Sequence, residues 1–214
     1  MQAEISDPDR HVGHRSPVAL LLVDVINDMD FEGSAPLVEQ AVPMAKRLVA
    51  LKRRCKALEI PVIYANDNFG RWKSDFRSVV EHCLHDGVPG EETARILAPD
   101  DDDYFVLKPK HSAFYATTLD VLLSYLGTRT LILTGIAGNI CILFSANDAY
   151  MRDLKLIVPA DCVISNTDSE NRYALEQIRS ILKGDTSDSG QLDLEQLLGE
   201  WDESEPVARE ARRR

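Results

Sequence analysis

Five short apolar runs, separated by stretches with helical spacing, constrain this chain more than any other feature. They are Val18–Val25 (VALLLVDV), Pro61–Ala65 (PVIYA), Tyr104–Leu107 (YFVL), Leu131–Thr134 (LILT) and Lys155–Val158 (KLIV). Each is too short for a typical helix and has no polar alternation, which suits strands buried on both faces of a parallel sheet. Between the first two, Leu37, Ala41, Met44, Leu48, Leu51, Cys55 and Leu58 recur at spacings of four and three. That is one helical face, with Lys and Arg opposite; Pro43 marks either its first turn or a kink. Further helical stretches cover Glu91–Leu97, Thr118–Leu126 and roughly Asn139–Leu154. Gly127 stands where a left-handed helix cap is favoured. Thr167 and Glu170 form a capping box for a last helix through Leu182. Strands alternating with helices imply right-handed crossovers, hence an α/β chain. The expected architecture is a three-layer α/β/α sandwich around a central parallel sheet of five or six strands.

The chain has 214 residues, enough for one domain with a full core. A net charge of −11 gives no electrostatic support for nucleic acid or an anionic membrane surface. No apolar run approaches the roughly 18 residues that span a bilayer. The first residues, MQAEISDPDRHVGHRS, lack the apolar core of a secretory signal. Cys55, Cys83, Cys141 and Cys162 lie far apart with no CxxC pair and read as free thiols of a cytoplasmic protein. By composition, residues 1–16 form a polar N-terminal arm, 17–183 the folded domain and 184–214 an acidic tail. Within that tail Leu192–Trp201 (LDLEQLLGEW) fits a short amphipathic helix, docked on the body or on a partner chain, or equally part of a solvated tail.

In open parallel sheets reacting groups gather at the carboxyl ends of the strands. Asp24 closes the first strand, Lys108 follows the third, and Cys141 stands beyond the fourth at a helix start. Singly, each has an ordinary reading: a turn carboxylate, a solvated lysine, a core cysteine. Jointly they make a coherent proton-handling set. A helix N-terminus and a neighbouring ammonium favour thiolate, and a nearby carboxylate can take the thiol proton as general base. The small residues from Gly135 to Cys141 offer backbone N–H groups to an oxyanion.

Three segments carry a family resemblance. Val18–Asp28 (VALLLVDVIND) resembles an "LLVIDMQND" opening, and Lys108–Phe114 (KPKHSAF), followed by Thr118-Leu119, resembles a K-x-x-[YH]-S-A-F element. Gly135–Ala149 (GIAGNICILFSANDA) resembles a cysteine-bearing G-[VI]-x-x-x-x-C segment. In order and spacing, from about residue 17 to 182, the chain resembles the isochorismatase-like cysteine hydrolase superfamily. That superfamily includes isochorismatases, nicotinamidases and N-carbamoylsarcosine amidohydrolases. The resemblance implies a Rossmann-like fold, a small-molecule substrate and a homo-oligomer, either dimer or tetramer. It makes Cys141 the nucleophile, Asp24 the general base and acid, and Lys108, not Lys110, the third member of the set. It also implies a cis peptide between Ile136 and Ala137, and an oxyanion hole from the Ala137 and Cys141 amides.

The chain departs from nicotinamidases, whose metal-binding D-x-H run follows the second strand. Here that stretch is Asn66-Asp67-Asn68-Phe69-Gly70-Arg71-Trp72, without histidine, so neither a metal nor any other cofactor is expected. His82-Cys83-x-His85 reads as a core cysteine flanked by surface histidines rather than a metal cluster. Asp100–Asp103 reads as a solvated turn, since it lacks the spaced ligands of a calcium loop. Phe31, Trp72 and Phe114 are candidate walls of a substrate pocket, and equally ordinary half-buried aromatics. The expected activity is cleavage of a C–N bond in a small amide, carbamoyl or ureido compound through a Cys141 thioester. Two alternatives stay open: a vinyl-ether hydrolase, for which the cysteine is dispensable, and a non-catalytic binding protein, suggested by the acidic tail.

Overall fold

A computed structural model describes residues 15–67 and 75–201. Its strands are β1 (Val18–Val23), β2 (Val62–Asp67), β3 (Tyr104–Lys108), β4 (Thr130–Ile136), β5 (Lys155–Ile157) and β6 (Val163–Ile164). They form one parallel sheet in the order β3-β2-β1-β4, with β5 and then β6 along the outer edge of β4. The helices are α1 (Ala35–Ala57), α2 (Phe76–His85), α3 (Glu91–Ile96), α4 (Leu119–Leu126), α5 (Leu143–Tyr150), α6 (Asp168–Ser180) and α7 (Leu194–Gly199).

The period-two geometry of a strand explains the three layers. Val18, Leu20 and Leu22 of β1 enter one core with Leu37, Met44, Leu48 and Leu51 of α1, Val79 of α2 and Ala94 of α3. Ala19, Leu21 and Val23 enter the other with Leu123 of α4, Ala146 of α5 and Ile178 of α6. A central strand that feeds two cores must be apolar at every position, and β1 is buried throughout.

Local signals act where the sequence places them, with some shifts. Gly127 caps α4 at φ 77°, and the Thr167 hydroxyl accepts from the Glu170 amide at 3.2 Å. Pro43 lies well inside α1, not in its first turn, which Pro36 occupies. The lost hydrogen bond there is outweighed by burial of Ala41, Met44, Ala45 and Leu48 around it. The stretch expected as one helix from Asn139 divides into a π-helical turn, Gly138–Ile142, and α5. Its opening is wound by the Ile140 and Ile142 amides, which both donate to the Ala137 carbonyl at 3.1 Å.

The segment after Lys183, expected as an acidic tail, packs on the body as far as it is described. The Asp185 amide donates to the Leu156 carbonyl at 3.0 Å, and its carbonyl accepts from Val158 at 2.7 Å. Arg54 of α1 donates to the Ser189 carbonyl at 2.8 Å. Leu192, Leu194 and Leu197 enter the α1-side core, and Trp201 donates to the Thr130 hydroxyl at 3.0 Å under the Arg129 guanidinium. Of the two readings left open for this segment, its three leucines favour docking. Leu197→Ala is expected to cost about 2–3 kcal/mol in urea unfolding while leaving the distant sheet end unaltered. A cost near zero would mean that α7 contributes no stability. Among the described residues no helix is long and apolar enough to cross a membrane.

Candidate active site

The strand order puts a crevice beside Asp24. From β1 the chain winds one way to β2 and β3, then returns past β1 to β4, so the connections leaving β1 and β4 part at their carboxyl ends. Asp24 immediately follows β1 in a left-handed conformation, φ 52°. Its amide still donates to Ala65 of β2 at 2.9 Å, so the turn redirects the side chain without detaching the strand. Lys108 ends β3, in register opposite Asp67, the last residue of β2. The Asp67 amide donates to Asp24 Oδ1 at 2.8 Å, and Lys108 Nζ stands 2.8 Å from Asp24 Oδ2. Lys108 is fully buried and Asp24 is 6% exposed.

Cys141 arrives from β4 through a turn that depends on small residues. Gly135 sits at φ 119°, and a Cβ there would lie 2.0 Å from the Val23 carbonyl oxygen. The Ile136–Ala137 peptide is cis. At Gly138 a Cβ would meet Asn171 Oδ1 at 2.4 Å and Ser165 Oγ at 2.7 Å. That close approach lets the Ser165 hydroxyl accept from the Asn139 amide at 3.1 Å, tying the turn to α6 through Asn171. The outcome is a Cys141 Sγ 3.6 Å from Lys108 Nζ. Lys108 also donates to the Lys110 carbonyl at 3.2 Å, so Lys110 meets the site by its backbone. The Lys110–Phe114 loop is held to α5 by the Ala113 amide donating to Ser145 Oγ at 2.9 Å, and by Ser112 donating to Asp148.

Burial dominates the electrostatics. Desolvation raises the Asp24 pKa, and Lys108 only partly opposes it. The Cys141 thiol is pushed up to about 12, first by burial and then by the Asp24 charge, with Lys108 acting the other way. The sequence argument expected thiolate from the helix end and the ammonium. Burial reverses that, because an ion in a dry site loses its hydration whatever its neighbours. For Lys108, burial acts downward, but Asp24, Cys141 and Asp67 outweigh it and leave the pKa raised. The resting arrangement is therefore a buried lysinium between the Asp24 carboxyl group and a neutral thiol.

The other candidates fall elsewhere. Phe31 is largely exposed and Phe114 is buried in the α4–α5 core beneath the Arg152 guanidinium; Trp72 lies outside the described residues. Cys83 is buried, while His82 pairs with Asp28 at 3.4 Å and Asp86 at 2.7 Å, and His85 with Glu81 at 3.4 Å. Both histidines face acidic neighbours at the surface around a core thiol. Asp100, Asp102 and Asp103 do gather, in a turn where Asp100, Asp101 and Asp102 are exposed as expected while the Asp103 side chain faces inward. Buried Lys52 contacts Asp103 at 2.6 Å and Asp100 at 3.0 Å, and Lys56 contacts all three. A buried ammonium needs counter-charge, which this turn supplies. Sequence reasoning missed Asp67, Ser165 and Asn171; only an acid at the end of the PVIYA strand hinted at the first.

The isochorismatase domain model matches residues 18–187. The isochorismatase family protein YaaI of Bacillus subtilis is 42% identical over 164 residues, covering 77% of this chain and 90% of that protein. A maleamate amidohydrolase of Pseudomonas putida is 31% identical over 162 residues, covering 72% and 75%. An isochorismatase of Bacillus subtilis is 32% identical over 179 residues, covering 80% of this chain; the chain spans about half of it, 54%. Among solved structures, N-carbamoylsarcosine amidase from Thermoplasma acidophilum superposes with a TM-score of 0.65 at 24% identity, covering 82% and 98%. That likeness carries the fold.

Proposed function

The chain belongs to the isochorismatase family of hydrolases, and from that premise we propose that it is a cysteine hydrolase cleaving the C–N bond of a small amide, carbamoyl or ureido compound. One observation carries the reading: a fully buried Lys108 Nζ bridges Asp24 Oδ2 at 2.8 Å and Cys141 Sγ at 3.6 Å. A structural ion pair would not need a thiol as the third member. The similarity to a maleamate amidohydrolase supports an amide as substrate.

A thiol held near 12 does not ionise in advance, so attack is coupled to proton transfer. Cys141 passes its proton to Asp24 as sulfur bonds to the carbonyl carbon and the C=O π pair moves to oxygen. The same burial that keeps the thiol protonated raises the affinity of Asp24 for that proton, which narrows the gap between donor and acceptor. The Ala137 and Cys141 amides hold the oxyanion. Collapse expels the amine, which takes the proton from Asp24 and leaves a thioester. Water then gives a proton to Asp24 and attacks the thioester carbon, and departing sulfur regains the proton. Lys108 stays charged throughout and fixes both partners in place.

Release of ammonia or amine from a panel of small primary amides, carbamoyl and ureido compounds tests the reading, with Cys141→Ala alongside. The expected result is turnover by the parent and only background hydrolysis by the variant. Equal release by both would remove the thioester and favour the vinyl-ether reading. A protein that binds panel compounds without hydrolysing any would favour the non-catalytic one.

A further inference from the structure

Asp67 touches both charged members of the set. Its amide donates to Asp24 Oδ1 at 2.8 Å and its carboxylate Oδ2 lies 3.8 Å from Lys108 Nζ. The contact follows from register, since Asp67 and Lys108 are paired across β2 and β3 and point to the same face. The site thus holds two carboxylates for one lysine, which a resting ion pair does not require.

Resting on the proposed hydrolase reading, we infer that Asp67 is a positioning residue: the standing counter-ion of Lys108 while Asp24 carries the proton. When Asp24 has taken the proton of Cys141 and sulfur is bonded to carbon, neither of those groups balances the lysine charge. Lys108 is fully buried, and a buried ammonium without a carboxylate loses its proton readily. Asp67 is one-third exposed at its side chain, so its carboxylate meets both the buried ammonium and water. Among the described residues, the titratable groups at Lys108 are Asp24 from the end of β1, Asp67 from β2 and Cys141 from the turn after β4. Such a cluster titrates as a unit, and removing one negative charge lowers the proton affinity of the whole.

Asp67→Asn keeps the backbone bond to Asp24 and removes only the charge. The test is the pH dependence of Cys141 alkylation by iodoacetamide, read by mass spectrometry on the Cys141 peptide, which needs no substrate and stands whether or not amides are cleaved. The alkylation midpoint should fall by about one pH unit in Asp67→Asn and return in Asp67→Glu. On a panel amide the parent hydrolyses, kcat should drop about tenfold with KM little changed, and the acid limb of the profile should move to lower pH. If Asp67→Asn does not fold, Asp67→Ser removes the same charge with a smaller side chain. An unmoved or raised midpoint in a folded variant would overturn the inference. So would a loss of thermal stability with the pH profile unchanged.

Discussion

Lys108→Met should reduce turnover about 1000-fold and leave a protein whose stability deficit depends on pH. Methionine keeps most of the volume but removes the charge from which Asp24 and Cys141 take their positions. Breaking a buried pair by deleting one partner costs about 3–5 kcal/mol when the other charge has no escape. Asp24 does have one, because it can bind a proton. Its pKa already stands above the ordinary carboxylate range through burial, and Lys108 is the chief opposing influence. Without the lysine it rises further. A carboxyl whose folded pKa exceeds its unfolded one contributes stability that is full below the unfolded pKa and is lost as pH rises through the folded pKa. The deficit of the variant relative to the parent should therefore be small near about pH 4 and grow toward about pH 7. Urea unfolding at both values, with turnover measured alongside, checks this. A pH-independent deficit would mean that Asp24 is not the group left unpaired.

Gly135→Ala should be among the most damaging single-methyl additions at the described residues, because a backbone clash and a positive φ coincide there. The residue sits at φ 119°, and the added Cβ would lie 2.0 Å from the Val23 carbonyl oxygen and 2.9 Å from the carbon and nitrogen of the same residue. All three are backbone atoms of β1, paired in register with β4, so no side chain can swing aside. Relief requires parting the two central strands just where Asp24 and the Cys141 turn leave them. A loss of more than about 4 kcal/mol is expected, seen as collapse of soluble yield or of Tm. Gly33→Ala provides the comparison: its φ is 83°, but a Cβ there meets nothing within 4 Å. That variant should cost only about 1 kcal/mol, the strain of a left-handed alanine. Equal losses would show that backbone strain, not the clash with β1, governs Gly135.

Much of this was legible in the linear chain. The period of β1 sorts its residues into two cores, and the caps at Gly127 and Thr167 act through neighbours a few residues away. Asp24, Lys108 and Cys141 could be named because each ends a strand run or follows one, in a recognisable segment. Asp67 could not, because an acid at a strand end has no mark of its own until register sets it opposite Lys108. Ser165 and Asn171 were hidden for a similar reason. They support a turn formed more than twenty residues earlier, and only the close approach at Gly138 joins them. For the segment after Lys183 the linear chain left docking and solvation open, because its charge outnumbers its leucines, whereas packing responds to where the leucines point.

By itself the sequence determined the layers of the fold and the kinds of group at the sheet's carboxyl edge. Those depend on side-chain period and on caps, which are local physics. The tertiary structure alone decided that one buried lysine serves two carboxylates and a thiol, and that the thiol is held as a neutral acid. Both depend on strand register and on the exclusion of water, and those arise only when segments distant in the chain are brought together.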